Sequence, residues 1–144
     1  MLKRALLVAA LVAPFSLGFA EEGQALLHSG ADINNHASLQ RGARNFINYC
    51  SGCHSLRYLR YNRMAADLGI DDKDLAANLI FTGAKAFEPI ISSMPADAET
   101  WFGKQPPDLS LIARAKGGPD YIYSFLKGFY VEKGRLWGVN NQYL

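Results

Sequence analysis

The pentapeptide Cys50-Ser51-Gly52-Cys53-His54 constrains this chain more than any other stretch. A Cys-x-x-Cys-His sequence is typical of the covalent attachment of a c-type haem. Each thiol can form a thioether with a haem vinyl group, and an imidazole directly after the second cysteine is placed to reach the iron. The motif therefore predicts one covalent haem c bound through Cys50 and Cys53, with His54 as an axial ligand of the metal.

Three other interpretations of the same residues stay open at this point. A structural zinc site takes four ligands, whereas the chain has two cysteines and its other histidines, His28 and His36, lack paired spacing. An exported thiol–disulfide oxidoreductase would use Cys50 and Cys53 as a redox pair, although the residues before Cys50 do not read as the buried strand expected there. A plain structural disulfide is the simplest use of two exported cysteines.

Residues 1–20 have the pattern of a secretory signal peptide. Lys3 and Arg4 precede an apolar stretch, and Gly18-Phe19-Ala20 is a small-x-small cleavage sequence, so the mature chain is expected to begin at Glu21. The apolar stretch is too short for a permanent membrane anchor. Export agrees with the haem interpretation, because covalent haem c is attached outside the cytoplasm, where paired thiols otherwise oxidise.

The 144 residues suit one domain, which we assign to residues 21–144. Without Lys3 and Arg4 the chain carries 13 basic and 13 acidic residues, and this balance gives no reason to expect a nucleic-acid partner. Arginines nevertheless cluster around the Cys-x-x-Cys-His motif, at positions 41, 44, 57, 60 and 63. They form either a solvated face or a positive surface that neutralises haem propionates or steers an acidic partner.

Apolar periodicity predicts four short helices separated by loops. The first runs from Leu39 to Tyr49 with Ser38 as its N-cap, and it delivers Cys50 at its end. The second is capped by Asp71 or Asp72, the third is a short helix capped by Asp108, and the fourth starts at Pro119. The expected apolar positions of the fourth helix are Ile122, Phe125, Leu126 and Phe129.

Residues 84–107 read as a loop, and the tail from Gly134 shows no period. We therefore expect an all-α fold, a c-type cytochrome fold of short helices and loops wrapped around a covalently attached haem.

Two stretches of the sequence resemble the signatures of the cytochrome c1 family, the haem subunits of ubiquinol–cytochrome c oxidoreductase complexes. The first includes Arg41-Gly42-Ala43 and continues through Cys53-His54-Ser55-Leu56 to Arg57-Tyr58. The second is Pro106-Pro107-Asp108-Leu109-Ser110, followed by Arg114-Ala115-Lys116-Gly117-Gly118 and Asp120-Tyr121. The resemblance covers nearly all of residues 21–144.

The resemblance implies that Pro106, Pro107 and Leu109 line the haem edge and that Lys116 and Tyr121 lie near the propionates. Many relatives have arginine where this chain has Lys116, and lysine offers a point charge instead of a planar fork.

The resemblance also implies an electron carrier on the periplasmic face of the inner membrane, or the equivalent intermembrane side. Its partners would be cytochrome b, a Rieske iron–sulfur protein as electron donor and a cytochrome c as acceptor. By the same resemblance, the protein would be held at the membrane through the complex or through a C-terminal helix.

Family members continue to a methionine that is the sixth iron ligand and then to a C-terminal membrane helix. In this chain Gly138-Val139-Asn140-Asn141 resembles the region before that methionine, so we expect the cytochrome domain to be incomplete at its C-terminal end. Met94 is the alternative sixth ligand within the chain.

Overall fold

The computed structural model describes residues 24–144, so the expected signal peptide lies outside the described residues. The helices are α1 (His36–Tyr49), α2 (Tyr61–Leu68), α3 (Asp72–Asn78), α4 (Ala98–Phe102) and α5 (Gly118–Lys127), and single 3-10 turns occupy Ile112–Arg114 and Leu136–Gly138. The strands are β1 (Leu56–Arg60), β2 (Pro89–Ile90), β3 (Phe129–Val131) and β4 (Val139–Asn141). Within residues 24–144, no helix combines the length and the apolar character needed to cross a membrane.

Helix α1 confirms the first predicted helix but begins earlier. The side-chain oxygen of Asn35 accepts a hydrogen bond from the Ser38 backbone N–H at 3.1 Å. Asn35 is therefore the N-cap, and the prediction of Ser38 was wrong, because Asn35 satisfies one of the free donors in the first turn. The helix ends at Tyr49, with Cys50 as its C-cap.

The main hydrophobic core lies between α1, α2, α3 and β2. Its buried members are Ile47, Tyr61, Met64, Ala65, Leu75, Leu79 and Ile90. Asp71 caps α3, as predicted, by accepting a hydrogen bond from the Asp74 backbone N–H at 2.7 Å. Helix α2 was not predicted, and it supplies three of the buried residues.

Two small antiparallel sheets accompany the helices. Strand β1 pairs with β2, with Leu56 opposite Ile90 and an irregularity before Arg60. Strand β3 pairs with β4 in a regular register, with Tyr130 opposite Asn140. The fold is helix-rich, but the all-α prediction holds only in part, since both sheets were missed and the tail from Gly134 contains β4.

The other predicted elements are confirmed in part. Helix α5 has Pro119 in its first turn, as expected, but it ends at Lys127, so Phe129 lies on β3 and not on the helix. The third predicted helix is a single 3-10 turn, and Asp108 does not cap it, because its carboxylate binds the backbone N–H groups of Ser110 and Arg57 instead. The segment predicted as a loop contains β2 and α4.

Candidate haem site

The Cys-x-x-Cys-His motif forms a tight turn that continues directly from α1. The carbonyl oxygen of Cys50 accepts hydrogen bonds from the backbone N–H groups of Cys53 at 3.0 Å and His54 at 2.8 Å. The hydroxyl of Ser51 donates to the carbonyl of Ile47 at 2.7 Å, which ties the turn back to the buried face of the helix. Both cysteines and the histidine are thus held within one turn of chain on a packed element.

The imidazole of His54 is oriented by a backbone carbonyl. Its Nδ1 lies 2.8 Å from the carbonyl oxygen of Pro107. A carbonyl only accepts hydrogen bonds, so Nδ1 carries the proton and the lone pair of Nε2 is free to bind a metal. Such a bond fixes both the tautomer and the ring orientation of a ligating histidine.

Residues 54–58 and 107–110 are joined by a row of hydrogen bonds, which we call the seam. Leu109 N–H donates to the Ser55 carbonyl at 2.9 Å. Arg57 N–H donates to Asp108 Oδ2 at 3.0 Å, and Tyr58 N–H donates to the Ser110 hydroxyl at 3.2 Å. The seam holds the two family signatures side by side, and it includes the bond that orients His54.

The side chains of Ser55 and Asp108 strengthen the seam. The buried hydroxyl of Ser55 accepts a hydrogen bond from the Ser92 N–H at 2.9 Å, which brings in the segment after β2. Partial burial acts to raise the pKa of Asp108, but hydrogen bonds from Ser110 and Arg57 outweigh it and hold that pKa below its usual value. Asp108 therefore stays ionised as the acceptor of both bonds at neutral pH.

The Cys50 thiol does not have the electrostatics of a redox enzyme. Burial, and after it the neighbouring Cys53, raises the pKa of Cys50 above its ordinary value. A thiol–disulfide enzyme needs the opposite shift, since its attacking sulfur must be a thiolate near neutral pH. No group of three or more His, Cys, Asp or Glu side chains positioned to hold a metal occurs in residues 24–144.

The predicted site residues fall into two groups in the structure. Pro107 and Leu109 lie in the seam beside the Cys-x-x-Cys-His turn, with Pro106 half-buried next to them. Lys116 and Tyr121 form the second group, with the lysine Nζ 5.3 Å from the centroid of the tyrosine ring.

Sequence reasoning missed other residues that organise the site. Ser55, Asp108 and Ser110 were not singled out as seam residues, and their pattern in the sequence gives no local signal of pairing across about 50 residues.

His28 is exposed, as a loop histidine would be, yet its Nδ1 lies 3.4 Å from Asp120 Oδ2. Met94, the alternative iron ligand, is half-buried in the irregular segment after β2.

The arginine cluster is partly neutralised. Arg63 is paired with Asp67 at 2.8 Å, and Arg57 lies 4.0 Å from Asp108. Both arginine side chains are more than two-thirds exposed (70% and 68%), so each pair contributes little to stability. These contacts agree with a solvated face.

The second half of the described chain presents large apolar side chains. Leu111, Leu126, Phe129 and Trp137 are each more than half exposed, at 58, 65, 52 and 69%. Phe102 lies between Trp101 and Trp137, with ring centroids 6.3 and 6.4 Å away. Two thiols and an imidazole with a free Nε2, held together in one turn, fit a haem c.

The family model of the Cytochrome C1 family matches residues 30–86 and 85–142. The chain belongs to the cytochrome c1 family. This confirms the resemblance in the sequence, and proteins of the cytochrome c1 family carry one covalently bound haem c, as the motif predicts.

Individual relatives agree with the family assignment. The chain is 49% identical to "Cytochrome c1" of Allochromatium vinosum over 91% of its own length and 54% of that protein. It is 41% identical to "Ammonia monooxygenase gamma subunit" of Nitrosomonas europaea over 94% of its length and 58% of that protein. It is 36% identical to "Cytochrome c1" of Rhodospirillum rubrum over 63% and 40%. The chain thus spans about half the length of the curated relatives it matches.

Proposed function

We propose that this chain is the haem-carrying part of a respiratory electron carrier that accepts an electron from a Rieske iron–sulfur protein and passes it to a cytochrome c. The observation that carries the proposal is the His54 Nδ1 to Pro107 carbonyl bond of 2.8 Å, directly after a turn that presents both thiols. The membership of the cytochrome c1 family supports the same conclusion.

The residues of the turn would divide the work of binding. Cys50 and Cys53 would hold haem c through two thioethers, and Nε2 of His54 would bind the iron. When bound, haem c supplies reversible one-electron chemistry. The carbonyl of Pro107 fixes the tautomer and the orientation of the imidazole, and it makes His54 a stronger donor to the iron.

The remaining predicted residues would shape the surroundings of the cofactor. Pro106, Pro107 and Leu109 would exclude water from its edge, which disfavours the extra charge of the ferric state. Lys116 and the Tyr121 hydroxyl would face the propionates. Since Lys116 already lies over the Tyr121 ring, the two side chains would act as one unit.

The family also suggests where the protein acts. We propose that it is exported, that it works on the periplasmic or intermembrane side, and that it assembles with cytochrome b and Rieske subunits. Relatives named cytochrome c1 support this placement.

The test is a set of variants expressed with the machinery that attaches haem c. Wild type is expected to give the pyridine haemochrome spectrum of covalent haem c, and Cys50→Ala or Cys53→Ala to lose haem in acid acetone more readily. His54→Ala is expected to keep covalent haem but to change the absorption spectrum of the iron, because the ligating nitrogen is gone. His36→Ala, an exposed histidine at the start of α1, is the control.

Two results would contradict the proposal. Free thiols that titrate in the mature wild-type protein would favour a thiol–disulfide enzyme instead. An unchanged absorption spectrum in His54→Ala would show that another residue binds the iron.

A further inference from the structure

Residues 24–29 form a segment, which we call the strap, that runs from the β3–β4 hairpin to the start of α5. At one end Gln24 Nε2 donates to Gln142 Oε1 at 3.1 Å, and the Tyr143 hydroxyl donates to the Ala25 carbonyl at 3.3 Å. At the other end both the backbone N–H and the hydroxyl of Ser29 donate to Asp120 Oδ1, at 2.8 and 2.6 Å. The strap is therefore hydrogen-bonded to residues that lie more than 90 positions further along the chain.

A buried serine anchors the middle of the strap. Ser124 lies on α5, is fully buried, and accepts a hydrogen bond from the Leu27 N–H at 2.7 Å. Ser124 and Asp120 are four residues apart, so they lie on the same face of the helix. A buried hydroxyl is costly without a partner, and the strap provides that partner.

The strap also presses on the turn that precedes α5. A Cβ atom added to Gly117 would lie 2.6 Å from Leu26 Cδ1, so the leucine side chain rests directly on this glycine. Lys116, Gly117 and Gly118 all have positive φ, at 51, 92 and 67°. For a lysine this is an uncommon conformation, and such conformations persist where the surroundings hold them in place.

We propose that Ser29, Asp120 and Ser124 are positioning residues, which fasten the strap over the Lys116–Gly118 turn and so hold Lys116 beside Tyr121 at the haem propionates. The proposal rests on the proposed function for the role of Lys116. The mechanical part, that the strap orders the turn, stands on the contacts above.

The test compares Ser29→Ala and Ser124→Ala in the full, haem-loaded chain. Ser29→Ala removes the hydroxyl that donates to Asp120 at 2.6 Å and accepts from the Ala31 N–H at 3.3 Å, and it leaves the sequence of α5 unaltered. Ser29→Thr keeps the hydroxyl and serves as the conservative variant. Ser38→Ala, at an exposed serine on α1 outside the strap, is the matched control.

Two measurements are made on each variant. Hydrogen exchange of residues 116–121 is expected to quicken on the order of tenfold in the alanine variants, the effect of losing one hydrogen bond from a locally opening segment. The haem midpoint potential is expected to fall relative to Ser38→Ala, because the positive charge of Lys116 stabilises the reduced haem less when the turn moves. Ser29→Thr is expected to restore both values.

The outcomes separate this inference from the proposed function. If Ser29→Ala quickens exchange in the strap but not in residues 116–121, or leaves the potential unchanged, the positioning role is overturned. If Ser29→Ala changes nothing in the strap either, its hydrogen bonds do not fasten the segment and the inference also fails. If Ser124→Ala does not fold, Ser29→Ala alone decides. If wild type takes up no covalent haem, the proposed function fails, and with it the role of Lys116 at the propionates.

Discussion

Asp108 offers a graded test of the seam. Its two carboxylate oxygens accept different backbone donors, Ser110 N–H on Oδ1 at 2.9 Å and Arg57 N–H on Oδ2 at 3.0 Å. The substitution Asp108→Ala removes both acceptors. The substitution Asp108→Asn removes one, because an amide nitrogen cannot accept a hydrogen bond.

The expected magnitudes follow from the number of bonds lost. Each bond is worth about 1 kcal/mol net, below the roughly 1.5–3 kcal/mol typical of charged acceptors, because the Asp108 side chain is 29% exposed. We therefore expect Asp108→Ala to lower the free energy of unfolding by about 2 kcal/mol and Asp108→Asn by about 1 kcal/mol. The Arg57 ion pair, at 4.0 Å and largely exposed, adds little to either value.

The assay is urea unfolding of the haem-loaded protein, followed by circular dichroism. Asp97→Ala is the matched control, because Asp97 makes no side-chain capping bond at the start of α4. If Asp108→Asn costs as much as Asp108→Ala, the two oxygens do not act separately. If Asp108→Ala behaves like Asp97→Ala, the seam bonds contribute nothing to stability and the reasoning is refuted.

Three further predictions concern pH, salt and the sixth ligand. Hydrogen bonds from Ser29, aided by His28, lower the pKa of Asp120 to about 2, so the Asp120 carboxylate stabilises the fold fully above pH 3.8 and loses this effect as the pH falls towards 2. The difference in urea midpoint between wild type and Asp120→Asn should therefore shrink over that range. A constant difference would contradict the prediction. If the arginines steer an acidic acceptor, Arg57→Gln with Arg60→Gln should weaken the salt dependence of stopped-flow electron transfer, whereas equal salt slopes would leave them a solvated face. Met94→Leu should leave the near-infrared spectrum of the ferric protein unchanged, because the family resemblance puts the methionine ligand after Asn141. A methionine–iron band that disappears with the substitution would make Met94 the ligand.

Local signals were sufficient to predict three of the helices. Apolar spacing located α1, and the capping chemistry of Asp71 and the preference of Pro119 for a first turn located α3 and α5. The Cys-x-x-Cys-His motif itself is local, so the cofactor was predictable from five residues.

The rest depends on contacts between distant parts of the chain. Strands β1 and β2 have only five and two residues, and their pairing has no local signature. The apolar spacing of α2, with Tyr61, Met64, Ala65 and Leu68 on one face, is present in the sequence, but only the arginines of this stretch were singled out there. The carbonyl of Pro107 that orients His54 is a backbone group, and no residue type predicts which one lies there.

The two halves of the described chain differ in what holds them together, and this leads to a last prediction. Residues 36–90 share a core that includes Leu75 and Ile90, both fully buried, whereas the buried side chains that the structure describes within residues 98–144 are Ala98, Ser124 and Asn141. So little apolar burial cannot offset the conformational entropy of ordering the second half. We therefore expect Cys50→Ala with Cys53→Ala, prepared without haem, to keep slow hydrogen exchange in residues 36–90 and lose it in 98–144. Equal protection of both halves would show that the second half is ordered without the cofactor.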